Sequence, residues 1–400
     1  MALPYNFLLV CSVFLFISSA TIAQTSFRPK ALLLPVSKDA ATLQYVTHIN
    51  QRTPLVPVKL TVHLGGETLW VDCEKGFVSA SFKPARCGSA QCSLATADAC
   101  SGLNVCGQAV DNPIIRTATH GDIGQDVVSL QSTDGSNPGK VVKVPNFIFT
   151  CGATLLVRGL ANGVTGMAGL GRSKIALPTQ LAAAFSFKRK FALCLSSSTT
   201  SDENGIIIFG DGPYVIRPGF DLSKSLTYTP LLINPVSTAS AFSLGDKSFE
   251  YFIGVKSVNV NGKSIPLNKT LLSIDSNGIG GTKISTVDPY TVLETSIYNA
   301  VVSAFVNGIA DSQKSIFGCT SQNVKFSVTG ANSMVSVSDN VLCLGFVDGG
   351  VNPRTSIVVG GYQLENNLLQ FDLASSRLGF SPSLIVEYRT NCGNFNFTSN

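Results

Sequence analysis

Charged side chains are scarce in this chain: Lys, Arg, Asp and Glu make up 13% of its 400 residues, against 44% hydrophobic ones. Coiled coils and disordered segments need far more charge, so both classes are set aside. No basic run is longer than Lys188-Arg189-Lys190. The formal net charge of +5 therefore describes a mildly basic surface and not a nucleic-acid patch. Such a surface could still be drawn toward anionic material such as cell-wall pectin. No two cysteines stand in C-x-x-C spacing, and His48, His63 and His120 are isolated from one another. Neither a metal site nor a cofactor is expected. Past the N-terminus no segment is long and apolar enough to be a membrane helix.

What is present begins with an address. Phe7 to Ile17, FLLVCSVFLFI, is an apolar run of 11 residues. Spanning a bilayer takes on the order of 20. Small residues follow, then Ala-Thr-Ile-Ala before Gln24, so residues 1–23 read as a secretory signal cleaved after Ala23. Its start carries no Lys or Arg, which departs from the usual pattern. Ten cysteines remain: Cys73, Cys87, Cys92, Cys100, Cys106, Cys151, Cys194, Cys319, Cys343 and Cys392. An even number in an exported chain predicts five disulfides. Asn268-Lys-Thr and Asn396-Phe-Thr are glycosylation sequons. Nothing signals an oligomer, so a monomer is the default.

Short period-two or β-branched runs recur: Val56 to Val62, Gln125 to Leu130, Gly205 to Phe209 and Phe252 to Val260. Gly65-Gly66, Asn137-Pro-Gly139 and Asn261-Gly262 punctuate them, which is the pattern of an all-β protein rich in hairpins. Two helices are expected. One is Thr179 to Phe187, with Pro178 near its first turn. The other is Asp288 to Phe305, with Val292, Leu293, Ile297, Val301 and Val302 at helical spacing, Asp288 as N-cap and Pro289 at the first position. The chain is too long for one ordinary core. The Gly- and Pro-rich stretch Asp211 to Lys224 reads as the crossover between lobes 24–215 and 216–400. Gly166-Met-Ala-Gly-Leu-Gly171 and Ile357-Val-Val-Gly-Gly361 echo each other, each following a strand–turn element, at 63–71 and 280–288. That suggests a duplicated architecture.

Leu69-Trp70-Val71, Gly169-Leu-Gly171, Ile207-Ile-Phe-Gly210 and Phe371 to Phe380 look like landmarks of pepsin-like aspartic proteases. Longer strings are narrower: WVDCEKGFVSASFKPARCGSAQC, STDGSNPGKVVKVPNFIFTCG, GGTKISTVDPYTVLETSIY and GGYQLENNLLQFDL. Through them the chain resembles the plant branch that holds basic 7S globulins, extracellular dermal glycoproteins and xylanase or xyloglucanase inhibitors. The resemblance implies a bilobal pepsin-like fold. It also implies a Cys194–Cys392 bridge, because that branch ties its chain end back; Cys319–Cys343 is the other expected pair.

An aspartic protease needs two carboxylates about 3 Å apart that share one proton, each in an Asp-Thr/Ser-Gly turn. By this resemblance the first turn is His63-Leu64-Gly65 and the second Ser285-Thr286-Val287, and neither carries an acid. Asp72, Glu74 and Asp288 lie out of register and read as loop or cap carboxylates. His63 reads as a satisfied, partly buried histidine. No tyrosine stands between Thr117 and Gly124, where an active protease carries one on its flap. The expectation is a protein without peptidase activity. The resemblance implies instead an inhibitor of microbial glycoside hydrolases, xyloglucanases or xylanases, whose clefts hold paired acids. Related inhibitors present His or Arg from loops of the C-terminal lobe. Here the candidate is Arg389, in Glu387-Tyr-Arg-Thr-Asn-Cys392, flanked by Tyr388 and by Phe395, which is more simply packed. The SQNVKFSVTGANSM loop between Cys319 and Cys343 looks shorter than in inhibitory relatives, where it carries a second basic contact; Lys325 substitutes poorly for it. A deletion between Cys100 and Cys106 removes two cysteines. A storage or ligand-binding globulin, and a residual aspartic endopeptidase, are the alternatives.

Overall fold

The computed structural model describes residues 27–239, 246–308, 314–319, 324–338 and 341–398, with 314–319 as backbone only. The expected leader, 1–23, lies outside them. Val56–His63 is a strand whose pattern of exposed and buried residues becomes wholly buried from Leu60 onward, as alternation gives way to a β-branched run. It pairs antiparallel with Tyr45–Gln51, Val46 opposite Thr61 and Gln51 opposite Val56. Gln125 to Leu130 falls inside the long strand Thr117–Thr133, which pairs with Pro138–Gly152. Gly205–Gly210, Tyr251–Ile253 and Val255–Val260 form where period-two patterning placed strands.

The duplication appears as two matching parallel pairings. Thr61, Val62 and His63 lie beside Met167, Ala168 and Gly169. Thr282, Lys283 and Ile284 lie beside Ile357, Val358 and Val359 in the same sense. Gly169 is required by this close approach, since a Cβ there would stand 2.1 Å from the Thr68 carbonyl oxygen.

The two halves share one antiparallel platform. Its neighbouring strands run Ala31–Lys38, Gly205–Gly210, Lys190–Cys194, Leu368–Asp372, Arg377–Phe380 and Thr227–Leu232, three from each half. The join is Lys190–Cys194 against Leu368–Asp372, with Lys190 opposite Asp372 and Cys194 opposite Leu368. Phe191 stacks on Phe371 at 4.8 Å between centroids, and Tyr251 meets Phe371 at 4.6 Å. These rings are fully buried and weld the halves into one core. Asp211 to Lys224 links Gly210 to the last platform strand. It is ordered by Asp221, which accepts from the Tyr214 and Ser223 amides at 3.0 Å each.

Four expectations need correction. The helix expected from Asp288 to Phe305 begins later, at Thr295–Asn307, capped by Glu294, which accepts from the Ser296 and Ile297 amides at 2.9 and 3.2 Å. Thr291–Leu293 is a strand instead, held between Phe346–Asp348 and Ile357–Val358, so sheet pairing overrides helical spacing. The Thr179 to Phe187 helix runs Leu177–Phe185, Pro178 in its first turn, and stops at Ser186 in the left-handed conformation. Among the described residues the expected fifth disulfide is absent. Cys73–Cys151, Cys87–Cys100, Cys92–Cys106 and Cys194–Cys392 are bridged, while Cys343 is free and exposed. Cys319 ends a strand of a four-stranded sheet, whereas Cys343 sits in a separate hairpin with Met334–Ser338; the side chain of Cys319 lies outside the described residues. The segment read as a loop after Cys319 in fact holds the strand Lys325–Thr329, which buries Phe326 and Val328.

Candidate functional site

The two turns singled out in the sequence meet face to face. Thr286 Oγ1 accepts from the Leu64 amide at 3.0 Å and donates to the Val62 carbonyl at 2.7 Å. These bonds join positions more than 220 residues apart. The His63 carbonyl accepts from the Gly66 and Leu170 amides, both at 3.0 Å, which closes the first turn onto its glycine-rich loop. Ser285 donates its amide to the Val359 carbonyl at 2.9 Å, and its hydroxyl accepts from the Val287 and Asp288 amides at 3.3 Å. Asp288 is thus part of this turn and not a helix cap. His63 and Ser285 are both buried.

A partly buried ion pair fills the space over the first turn. Glu250 lies across Gly65, where a Cβ would stand 2.6 Å from its Cγ. Its Oε1 meets Lys283 Nζ at 2.6 Å, while its Oε2 accepts from Thr238 and, at 3.1 Å, from Ser248. Burial works to raise the Glu250 carboxyl, but the charge and hydrogen bond of Lys283, helped by Thr238 and His63, hold it below the ordinary value. The His63 imidazole is pushed down chiefly by burial, against the pull of Asp111 and Glu250. Glu67, on the same loop as Gly65, has no such cation. Burial, then Asp246, Asp111 and Asp98, push its carboxyl up to about 7.

Chemically, the meeting point holds an imidazole, a hydroxyl already accepting two amides, and a carboxylate committed to an ammonium. Among the described residues no pair of acids sits there to share a proton. The loop carboxylates behave as read: Asp72 accepts from the Glu74 and Lys75 amides and from Thr154, and Glu74 from the Thr154 amide at 2.8 Å. Glu250 and Lys283 were missed by sequence reasoning. They lie 33 residues apart, Glu250 just before the strand Tyr251–Ile253 and Lys283 within the strand Thr282–Ile284, and no local motif links them. Among the described residues no cluster of His, Cys, Asp or Glu could hold a metal ion.

Arg389 belongs to a different place, with the chain end and the linker. It ends the short helix Leu384–Tyr388 in the left-handed conformation, φ 50°, and is exposed. The Thr390 amide closes the turn on the Leu384 carbonyl at 3.1 Å. Cys392 anchors the segment through Cys194 and donates its amide to Asn366 at 3.1 Å. Tyr388 is half-buried, its ring 4.8 Å from Phe220 and its carbonyl accepting from Arg217 at 3.3 Å. Phe395 is buried against Phe397 and is a packing residue. Lys325, Asn268 and Asn396 are exposed.

Comparison with known families matches residues 45–211 to the xylanase inhibitor N-terminal model, and residues 250–321 and 316–382 to the xylanase inhibitor C-terminal model. The chain is 54% identical to a protein named probable aspartic proteinase GIP2 from Nicotiana benthamiana, over 98% of each. It is 35% identical to basic 7S globulin from Glycine max, over 98% of this chain and 97% of the relative. The crystal structure of EDGP superposes with a TM-score of 0.89 at 54% identity, covering 94% of this chain and all of that one. An aspartic proteinase from Irpex lacteus, at 16% identity, TM-score 0.56 and 90% coverage of this chain, shares the pepsin-like fold.

Proposed function

The chain belongs to the xylanase inhibitor family of pepsin-fold proteins, and from that premise we propose that it is a secreted, monomeric, catalytically inactive member that inhibits microbial xyloglucanases or xylanases. Arg389 enters the acidic cleft of such an enzyme and pairs with its catalytic carboxylates. The observation that carries this reading is an exposed arginine held at a left-handed turn on a disulfide-anchored segment. A left-handed backbone is costly for a non-glycine residue, and a fixed turn loses little entropy on docking. Tyr388 braces the turn from within and contributes less contact than its sequence position suggested. His63 and Ser285, standing where the family's fold carries its acids, are the lost dyad. Asn268 and Asn396, both exposed, would carry N-glycans on the exported chain. The likeness to basic 7S globulin favours one other reading, a storage or ligand-binding protein with no inhibitory role.

A panel of fungal and oomycete xyloglucanases and xylanases, assayed with a micromolar excess of the purified chain, separates these readings. At least one member is expected to be inhibited, with Arg389→Ala weakening inhibition about 100-fold. Failure to inhibit any member overturns the proposal. So does digestion of haemoglobin in mild acid that pepstatin blocks.

A further inference from the structure

We propose that the C-terminal half carries a second binding site, independent of Arg389, for an acidic sugar of the uronate class. A cavity of about 370 Å³ opens between the strand Val255–Val260, the short strand Lys263–Ser264 and the turn Lys269–Leu272. That is within the range of small-molecule sites, roughly 300–1,000 Å³. Its inner wall is apolar, with Ile265 and Leu272 both buried. Its lining also includes two exposed lysines, Lys256 and Lys269, and two serines, Ser257 and Ser264. Among the described residues no acidic side chain lines it. Neither lysine has a carboxylate within ion-pair range among the described residues.

Each part of that lining asks something of the ligand. Two unpaired ammoniums beside one cavity favour an anion. The serine hydroxyls suit a partner that can both donate and accept. An apolar wall beside them suits the C–H face of a pyranose ring. Inorganic phosphate meets the first requirement and leaves the wall unused; a neutral sugar meets the last two and leaves the lysines unpaired. A ring bearing a carboxylate meets all of them. Asn268 stands between lining residues Leu267 and Lys269 and is exposed, so a glycan attached there would rise at the cavity mouth.

The test is calorimetric titration of the full chain with trigalacturonate at low salt, alongside inorganic phosphate and a neutral xyloglucan oligosaccharide. It is run on the wild type and on Asn268→Gln, in which no rim glycan can mask the mouth. Trigalacturonate is expected to bind at least one of the two, more tightly than either control and more weakly as salt rises. Lys256→Gln/Lys269→Gln, introduced into whichever chain binds, should weaken it about tenfold or more while leaving the thermal melt and any glycosidase inhibition unchanged. Binding to neither chain overturns the proposal. Phosphate or the neutral sugar binding as well as trigalacturonate also does so, as does affinity unaltered in the lysine variant.

Discussion

Thr286 reaches across the groove to satisfy both the Leu64 amide and the Val62 carbonyl, whereas Leu64, at the matching position of the first turn, is wholly buried and has no polar atom to answer with. The same asymmetry governs the acids. Glu250, from the C-terminal half, is drawn below its ordinary range beside Lys283; Glu67, on the N-terminal loop, is pushed above its own by burial and neighbouring acids. Two turns of one ancestry of shape have therefore divided the labour. The second reaches across with a directed hydroxyl and stands beside a partly buried ion pair of its own half, while the first supplies backbone and an apolar plug.

The comparison can be broken most sharply at Lys283. Lys283→Ala leaves a partly buried carboxylate without its cation and should lower unfolding free energy by about 2–3 kcal/mol in urea titrations. The Glu250→Gln/Lys283→Met pair should lose much less, because no charge is left alone. Equal losses would mean that the ion pair is not what stabilises this region. The next effect is at Glu67. Its folded carboxyl titrates at about 7, above the ordinary 4.5, so between those values the folded chain binds more protons than the unfolded one. Stability then falls as pH rises through that window, by on the order of 3 kcal/mol, and Glu67→Gln should remove the fall. Glu250 has the opposite sign: its contribution is present above 4.5 and lost as pH drops through its lower folded value. Urea melts at pH 5 and pH 8 on both chains check this, and a wild type that gains stability toward pH 8 would contradict it. Smallest is Thr286→Val, which keeps the shape and orphans two backbone groups. About 2 kcal/mol should be lost at every pH.

Strands and turns were legible in the sequence because period-two patterning and glycine pairs act locally. Val56 to Val62 and the Gly166 and Ile357 loops fall where that patterning put them. Thr291–Leu293 was misread because Val292, Leu293, Ile297 and Val301 fit a helical stripe, and only two flanking strands, 50 and more residues away, decide otherwise. The cysteine count misled in the same way, since parity says nothing about which sheet each sulfur stands on. At the site, the positions of His63 and Ser285 could be read from flanking motifs. The charge that fills the space between them could not, because Glu250 and Lys283 become neighbours only once Tyr251–Ile253 pairs with Thr282–Ile284.

The seam between Lys190–Cys194 and Leu368–Asp372 carries one more implication. Every residue of both strands is buried, and each strand is the other's only cover on that side. Neither half could be produced alone as a soluble fragment. Severed at the seam, each would present five apolar-rich residues of unsatisfied backbone to solvent, an adhesive border that pairs with any strand it meets.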